Sequence, residues 1–272
     1  TGCVLPAIAR EVEVRTNIPS FAVPSNGIGT YVAGAGQALR LYAERFVLPA
    51  HEKKKNAVNI LGATPLDFSV NGQIQSIARR LTEGGFSVQS VWAMSSRTAA
   101  IDRAGEAEVN LVVSSVGLPV AKFLRERFGM PYVVGAPLGD TVSALLLGAL
   151  QKSIHTGENE ILPAGTPDVP DTVILGESVT SRSLAAALLL DYGICAEVIC
   201  PVELPRELEG PFCRQIEDAQ ELQAALSGAR RVIADPLFAP IVPQGAQFFP
   251  LPHEAYSGRI YRKQIPNLVT TW

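Results

Sequence analysis

Long runs of one character are missing from these 272 residues. The longest strongly apolar segment is Val142–Leu150, far short of the roughly 20 residues a membrane-crossing helix needs, so no membrane association is expected. The one basic run is Lys53-Lys54-Lys55 and the formal net charge is −3, too little clustered cation for nucleic acid to be an expected partner. Four cysteines (Cys3, Cys195, Cys200, Cys213) stand at irregular spacings and make no disulfide framework in a chain this large, so a cytosolic location is expected. No secretory signal is visible. The chain opens at Thr1-Gly2-Cys3 without a Met and is expected to lack an upstream part, so targeting is not read from it. Catalytic signatures are also missing. There is no G-x-S-x-G elbow and no H-E-x-x-H pair, which excludes the hydrolase and zincin classes. The glycines of 24–36 fit neither G-x-G-x-x-G nor a Walker A loop. The three histidines (His51, His155, His253) fall in connectors or before a turn and read first as surface residues; the alternative, a side chain facing the inter-domain crevice, applies to His253, after the last expected strand.

What is present points to an α/β protein. Hydrophobic residues make up 47% and charged residues 18%, enough for a substantial core, while 23 Gly and 20 Pro supply the turns between short alternating elements. The most informative stretch is 110–139, NLVVSSVGLPVAKFLRERFGMPYVVGAPLG. Leu111–Val113 reads as a strand that breaks at Ser114–Gly117. Leu118, Ala121, Leu124 and Phe128 then line one face of a helix closed by Gly129. Pro131–Val134 is the next strand and 135–139 a second loop. In parallel sheets ligands bind beyond the carboxyl ends of the strands, which is where both loops fall.

In chain order, Pro6–Val14 reads as a helix and Ile18–Val23 as a strand, followed by the glycine-rich loop and a helix through Ala38, Leu41, Tyr42 and Phe46. Gly27, Gly29 and Gly34 are expected to supply positive φ or close packing. Residues 57–150 read as four βα repeats, with strands at Val58–Leu61 and Phe86–Trp92, helices at Ile74–Thr82 and Thr98–Ala104, and a final helix Thr141–Leu150 buried on most sides. Polar connectors span 51–56 and 151–170. The alternation then restarts, with strands at Thr172–Leu175, Cys195–Cys200, Arg231–Ala234 and Gln247–Phe249 and helices at Ser181–Tyr192 and Glu217–Leu226. Two Rossmann-like domains, 57–150 and 171–272, are expected after an incomplete segment 1–50, with the tail 256–272 returning onto the first. Cys195 and Cys200 point to opposite faces of one strand and read as buried apolar residues. Cys213 stands alone in a loop, so no zinc site is expected. Cys3 precedes the first helix, whose N-terminus favours a thiolate and suits a metal-cluster or redox role.

On these residues the chain resembles nitrogenase component 1, the superfamily of the molybdenum–iron protein subunits, related cofactor-assembly scaffolds and dark-operative protochlorophyllide and chlorin reductases. Thr1-Gly2-Cys3 is similar to the end of a Cys motif in the family's first domain, and IPSFAVPSNGIGTYVAGAGQAL to the segment after it. VNILG, 81–86 and AEVNLVVSS…LRERFGMPYVVGAPLG resemble the second domain; DTVILGES, IEDAQELQAALSGARRVIAD and AYSGRIY resemble the third. The resemblance implies an α/β fold of successive Rossmann-like parallel-sheet domains around a shallow cleft, with 1–50 the C-terminal part of a truncated first domain. It implies a homologous component 1-type partner subunit, in a homo- or hetero-oligomer, and electrons from an ATP-dependent iron–sulfur reductase. It also implies an iron–sulfur cluster in the full-length assembly, with Cys3 at a metal-ligand position. One thiolate does not replace the usual four, so the chain alone is not expected to hold a cluster.

The departures from the family are as informative. Where the molybdenum–iron protein suspends its cofactor from a Cys and a His, this sequence has Ser114 and Tyr261, and neither hydroxyl replaces thiolate or imidazole. The acidic residues that follow the first Cys are replaced by Ala7-Ile8-Ala9-Arg10. The iron–molybdenum cofactor and dinitrogen reduction are therefore not expected. A substrate or cofactor is expected in the inter-domain cleft at Ser114, Ser115, Gly117, Gly135, Gly139, Gly176, Glu177, Ser178 and Tyr261, held by hydrogen bonds and loop amides. Three functions stand open. The first is a nitrogenase-like oxidoreductase subunit, passing electrons through an iron–sulfur cluster to a tetrapyrrole, a sulfur compound or another small molecule. The others are a non-catalytic cluster-assembly scaffold or partner subunit, and a small-molecule binding protein.

Overall fold

The computed structural model describes residues 4–24, 28–163 and 169–270. Its frame is two parallel five-stranded sheets. The first contains β1 (Ala57–Leu61), β2 (Ser87–Val91), β3 (Val109–Val112), β4 (Tyr132–Val134) and β5 (Glu160–Ile161), in the order β2-β1-β3-β4-β5. The second contains β6 (Thr172–Leu175), β7 (Ala196–Cys200), β8 (Cys213–Gln215), β9 (Arg231–Ala234) and β10 (Gln247–Pro250), in the order β10-β9-β6-β7-β8. Parallel pairing requires long crossovers, and helices fill them: α1 (Leu5–Thr16) and α2 (Tyr31–Phe46) lead in. They are followed by α3 (Pro65–Phe68), α4 (Gln73–Glu83), α5 (Thr98–Asp102), α6 (Leu118–Phe128), α7 (Gly139–Thr156), α8 (Ser178–Tyr192), α9 (Ala219–Ala225) and α10 (Glu254–Ser257). Covered on both faces, the central strands are buried and mostly apolar, as Val58, Ile60, Leu61, Leu111 and Val112 show.

Strand order reverses between β1 and β3 in one sheet and between β6 and β9 in the other. Crossovers leave such a point on opposite faces, and a crevice forms at the carboxyl ends of the two strands. A buried polar ladder sets the register of the first sheet. Asn59 donates to Asn110 Oδ1 (2.9 Å) and to the Ala104 carbonyl (3.0 Å), and it accepts from Ser90 (2.7 Å), which in turn accepts from the Trp92 indole (2.9 Å). Each partner is satisfied, so the ladder tolerates burial and penalises a slip of one residue.

Two glycines let the ends of β1 and β3 touch. Gly62 has φ +88°, and a Cβ on Gly117 would lie 2.6 Å from the Leu61 carbonyl carbon. Gly117→Ala is accordingly expected to lower the unfolding free energy by about 3 kcal/mol in a urea titration. Gly34→Ala, inside α2 with nothing within 4 Å of where its methyl would lie, is expected to raise it by about 1 kcal/mol.

Several expected elements differ. Ile18–Val23 is not a strand: among the described residues it pairs with none, and Phe21 packs edge-on against Tyr42 and Phe46 at 6.1 and 5.9 Å. Half of the glycine-rich stretch is helix, because α2 starts at Tyr31. Neither Gly29 nor Gly34 has a positive φ, and the close approach falls instead at Gly36, against Pro119; Gly27 lies outside the described residues. α7 is amphipathic rather than buried on most sides, with Leu145 46% exposed. Residues 151–170 are only partly connector, since α7 runs on to Thr156 and β5 adds an edge strand too short to carry a periodic signal. Cys213 lies on β8, not in a loop, and Cys195 is half-buried. The tail packs back on the first sheet's helices: Asn71 donates to the Ile265 and Pro266 carbonyls (3.2 and 3.1 Å), and Asn267 donates to Ser76 Oγ (2.9 Å).

Candidate functional site

The carboxyl ends of the two sheets face each other, and three acids stand just past the reversal strands. Glu177 follows β6 and caps α8, accepting the amides of Val179 (3.1 Å) and Thr180 (2.9 Å). Its third amide bond crosses the junction, from Ser115 at 2.8 Å. Asp67, on α3 after β1, accepts from Tyr31 Oη (2.7 Å) and Thr64 Oγ1 (2.8 Å). Asp235, after β9, accepts from the amides of Leu237 (2.8 Å) and His253 (2.7 Å) and from Ser257 Oγ (2.8 Å). His253 is thereby held across the seam. Its Nδ1 accepts the Ala255 amide (3.3 Å), which assigns the proton of the neutral ring to Nε2, and Nε2 lies 3.6 Å from Asp67 Oδ1. The Tyr256 ring packs on the imidazole at 5.0 Å. Ser115 Oγ, His253 Nε2 and Tyr256 Oη are buried without a hydrogen-bond partner. Buried polar atoms are normally satisfied, so these three suit contact with a ligand atom or water.

Burial governs the electrostatics. It raises the Asp67 carboxyl above the ordinary range, against the hydroxyls of Tyr31 and Thr64, which pull it down. Burial, then the Asp67 charge, raises Glu177, opposed by its three amide bonds. Only one of two such acids needs to keep its proton, and Asp67 is the better holder: its neighbours are hydroxyls that can turn to accept, whereas amides facing Glu177 require an acceptor. Burial lowers His253, while Glu177, Asp235 and Glu254 raise it less, so the ring is neutral at neutral pH. The directions for Asp67 and His253 agree on a neutral pair rather than an ion pair. Burial likewise raises the Tyr31 and Tyr256 phenols, so both remain hydrogen-bond donors.

Of the residues singled out from the sequence, Ser115 and Glu177 meet directly, and Ser178 Oγ lies 3.3 Å from the Glu177 carboxylate. Ser114 is fully buried and donates to the Gly62 carbonyl (2.8 Å), so its hydroxyl closes the strand junction. Gly117 and Gly176 give room to the Leu61 backbone and to Ser181, and Gly135 gives room to Leu146. Gly139 opens α7. Tyr261 lies in the tail turn, where its carbonyl accepts from the Gln264 amide (2.8 Å). Cys3 lies outside the described residues. Sequence reading missed Tyr31, Asp67, Asp235 and Tyr256. Thr64-Pro65-Leu66-Asp67 was a usable signal, because a Thr with an acid three residues on is a helix-start pattern and here follows a buried strand.

Among the described residues no three His, Cys, Asp or Glu side chains group as a metal site. Cys200 and Cys213 are buried on adjacent strands. The Cys200 thiol donates to Cys213, and this bond, then burial, pushes Cys200 well above its usual range while the same bond lowers Cys213. Two cysteines hydrogen-bonded to each other in a sheet supply only half of the four thiolates that an iron–sulfur cluster normally takes. Likewise, no helix among the described residues is long and apolar enough to cross a membrane.

Residues 2–173 match the family described as "Nitrogenase component 1 type Oxidoreductase". The chain belongs to this family. Component 1-type relatives include a light-independent protochlorophyllide reductase subunit of Picosynechococcus sp., 31% identical over 184 residues, which are 63% of this chain and 36% of the relative. The corresponding Prosthecochloris aestuarii protein is 33% identical over 97 residues, 35% of this chain and 18% of that protein. The match thus spans only 36% of the length of the Picosynechococcus relative. The solved structure "Nitrogenase Cp1 at pH 5" superposes with a TM-score of 0.65 over 99% of this chain and 68% of its own, at 16% identity. At that identity it is the component 1 fold that is shared.

Proposed function

We propose that the chain acts as a component 1-type subunit of a nitrogenase-like oxidoreductase, with its substrate or cofactor held at the seam where the two sheets end. The placement of the Asp67 carboxyl beside His253 Nε2 carries this reading. Reduction consumes protons along with electrons, and acids displaced from their usual range by burial hold a proton where bulk water does not reach. Asp67 is the proton reservoir, His253 Nε2 and Tyr256 Oη are the donors facing a ligand oxygen or nitrogen, and Glu177, Ser115 and Ser178 position the loops. Ser114, Gly117, Gly135, Gly139 and Gly176 shape the walls, and Tyr261 flanks them. The relatives' names make protochlorophyllide the first compound to assay.

Electrons come from an ATP-dependent iron–sulfur reductase, and a homologous component 1-type subunit completes the cytosolic assembly. Cys3 is assigned to the ligand set of an iron–sulfur cluster belonging to that assembly. Cys3→Ala, purified anaerobically as the assembled complex, is expected to lose most of its iron and acid-labile sulfide. Iron unchanged from wild type removes Cys3 from the ligand set. One observation favours a second reading, a non-catalytic scaffold or partner subunit: the Ser114 hydroxyl, at the family's cofactor-ligand position, is committed to the Gly62 carbonyl. Turnover that is indifferent to substitution of Asp67 supports that reading.

A further inference from the structure

The two faces of the second sheet are covered unequally. Along β9, Val232 and Ala234 are buried and pack in one cluster with Leu222 of α9. Arg231 and Ile233, on the opposite face, are only half-buried although β9 is an interior strand. On that opposite face α8 packs on β6 and β7 and leaves a slot of about 430 Å³ over β9 and β10. The slot is apolar: α8 supplies Leu184 and Leu188, the strands supply Ile233 and Phe249, and the returning chain supplies Leu251 and Leu268. Phe249 stays 40% exposed there.

Past the amino ends of the same two strands lies a second cavity of about 610 Å³, between the turns 227–230 and 243–246. Arg231 and Gln247 line both cavities, so the apolar slot opens into a polar bowl. Charge in the bowl is unequal, with Arg230 and Arg231 against Asp171, and no other acid lines either cavity. Arg231 is committed to that acid, its Nη2 2.5 Å from Asp171 Oδ1 and its Nε donating to Thr172 Oγ1 at 2.9 Å. Arg230 is exposed, and its guanidinium has no partner among the described residues. It acts on the same bowl: the Arg231 bond first, and the Arg230 charge in smaller measure, hold the Asp171 carboxyl below its usual range. The slot therefore ends on one uncompensated cation, and Gln247 at the junction offers an amide donor.

We propose that slot and bowl together bind a single-chain amphiphile, an unbranched aliphatic carboxylate whose chain lies over Ile233 and Phe249 and whose head pairs with Arg230 and Gln247. Each cavity is within the range of small-molecule sites, roughly 300–1,000 Å³. An apolar slot alone would accept any oil, and the unpaired guanidinium at its polar end selects an anionic head over a neutral or cationic one. The site is independent of the redox reading, since binding here requires no partner subunit, cluster or turnover.

The probe is decanoate, titrated calorimetrically into the chain below the concentration at which it forms micelles. Saturable binding is expected, with octanoate, two methylenes shorter, weaker by about ten-fold and decyltrimethylammonium not competing. Arg230→Ala removes an exposed side chain without a partner, so its melting temperature is expected to stay at the wild-type value. It is expected to weaken decanoate about five-fold while leaving the neutral analogue 1-nonanol unchanged. Phe249→Asp, on the edge strand β10, is expected to abolish binding of both. Phosphatidylglycerol vesicles are expected not to retain the chain. The proposal is overturned by absence of saturable decanoate binding, by competition from decyltrimethylammonium, or by equal effects of Arg230→Ala on decanoate and nonanol. It is also overturned by decanoate binding that survives Phe249→Asp in a folded variant, or by retention on vesicles, which would make the face a membrane contact instead.

Discussion

Glu177→Ala is expected to lower the unfolding free energy by about 3 kcal/mol, the sum of a lost helix cap at about 1 kcal/mol and a stranded buried amide at about 2 kcal/mol. The positions of the three amides set that size. Two belong to the first turn of α8 and the third to Ser115, on the other sheet's loop, so one carboxylate caps a helix and fastens the two sheets together. Solvent cannot replace it, because Glu177 and Ser115 are 1% and 2% exposed. Glu177→Gln keeps one acceptor oxygen but turns an amide donor toward the remaining N–H groups, and about half the loss is expected. Urea titration reads the stability, and amide exchange at Ser115 reads the junction. Loss of stability without faster exchange at Ser115 assigns the effect to the helix cap alone.

Asp67→Asn is expected to have its larger effect on turnover. With Asp67 as the proton reservoir, the assembled complex should slow about 100-fold in kcat with little change in KM, the usual scale for removing a positioned acid. Stability responds differently. The folded carboxyl is raised above its unfolded value, so its contribution is fully present below about pH 4 and is lost as pH rises through the folded value. His253 acts in the opposite sense. Its folded value is lowered, so its contribution is present above about pH 6.5 and is lost as pH falls through the folded value. Asp67→Asn removes the first dependence only. Relative to wild type, the variant should therefore gain stability as pH rises above about 4, a trend that denaturant titrations across pH 4 to 8 would show.

The fold was legible because parallel strands buried on both faces are short apolar runs between glycine-bearing loops. Val58–Leu61, Leu111–Val113, Thr172–Leu175 and Arg231–Ala234 stand out in that way, and all four lie at the centres of the two sheets. Edge elements did not stand out. β5 is two residues and β8 three, and their partners, rather than their own residues, make them strands. Within the site, Ser115 and Glu177 were readable because each follows a strand end. Asp67, Asp235 and Tyr256 were not, because their roles come from burial and from the meeting of two sheets, which no local pattern encodes. His253 shows the difference. Its position after the last strand read first as a surface site with a crevice as the alternative, whereas the structure buries the ring, and the amide that fixes its tautomer and the carboxyl opposite it required the tertiary structure.

The most direct test of a proton held in this seam is the infrared carbonyl stretch of a protonated carboxyl. It should be recorded on the chain at pH 6, about two units above the ordinary Asp range. A band present in wild type and missing in Asp67→Asn is the expected result. If the spectra of the two proteins are superimposable in that region, Asp67 is ionised like any surface acid, and the seam does not store the proton that reduction at this site would draw on.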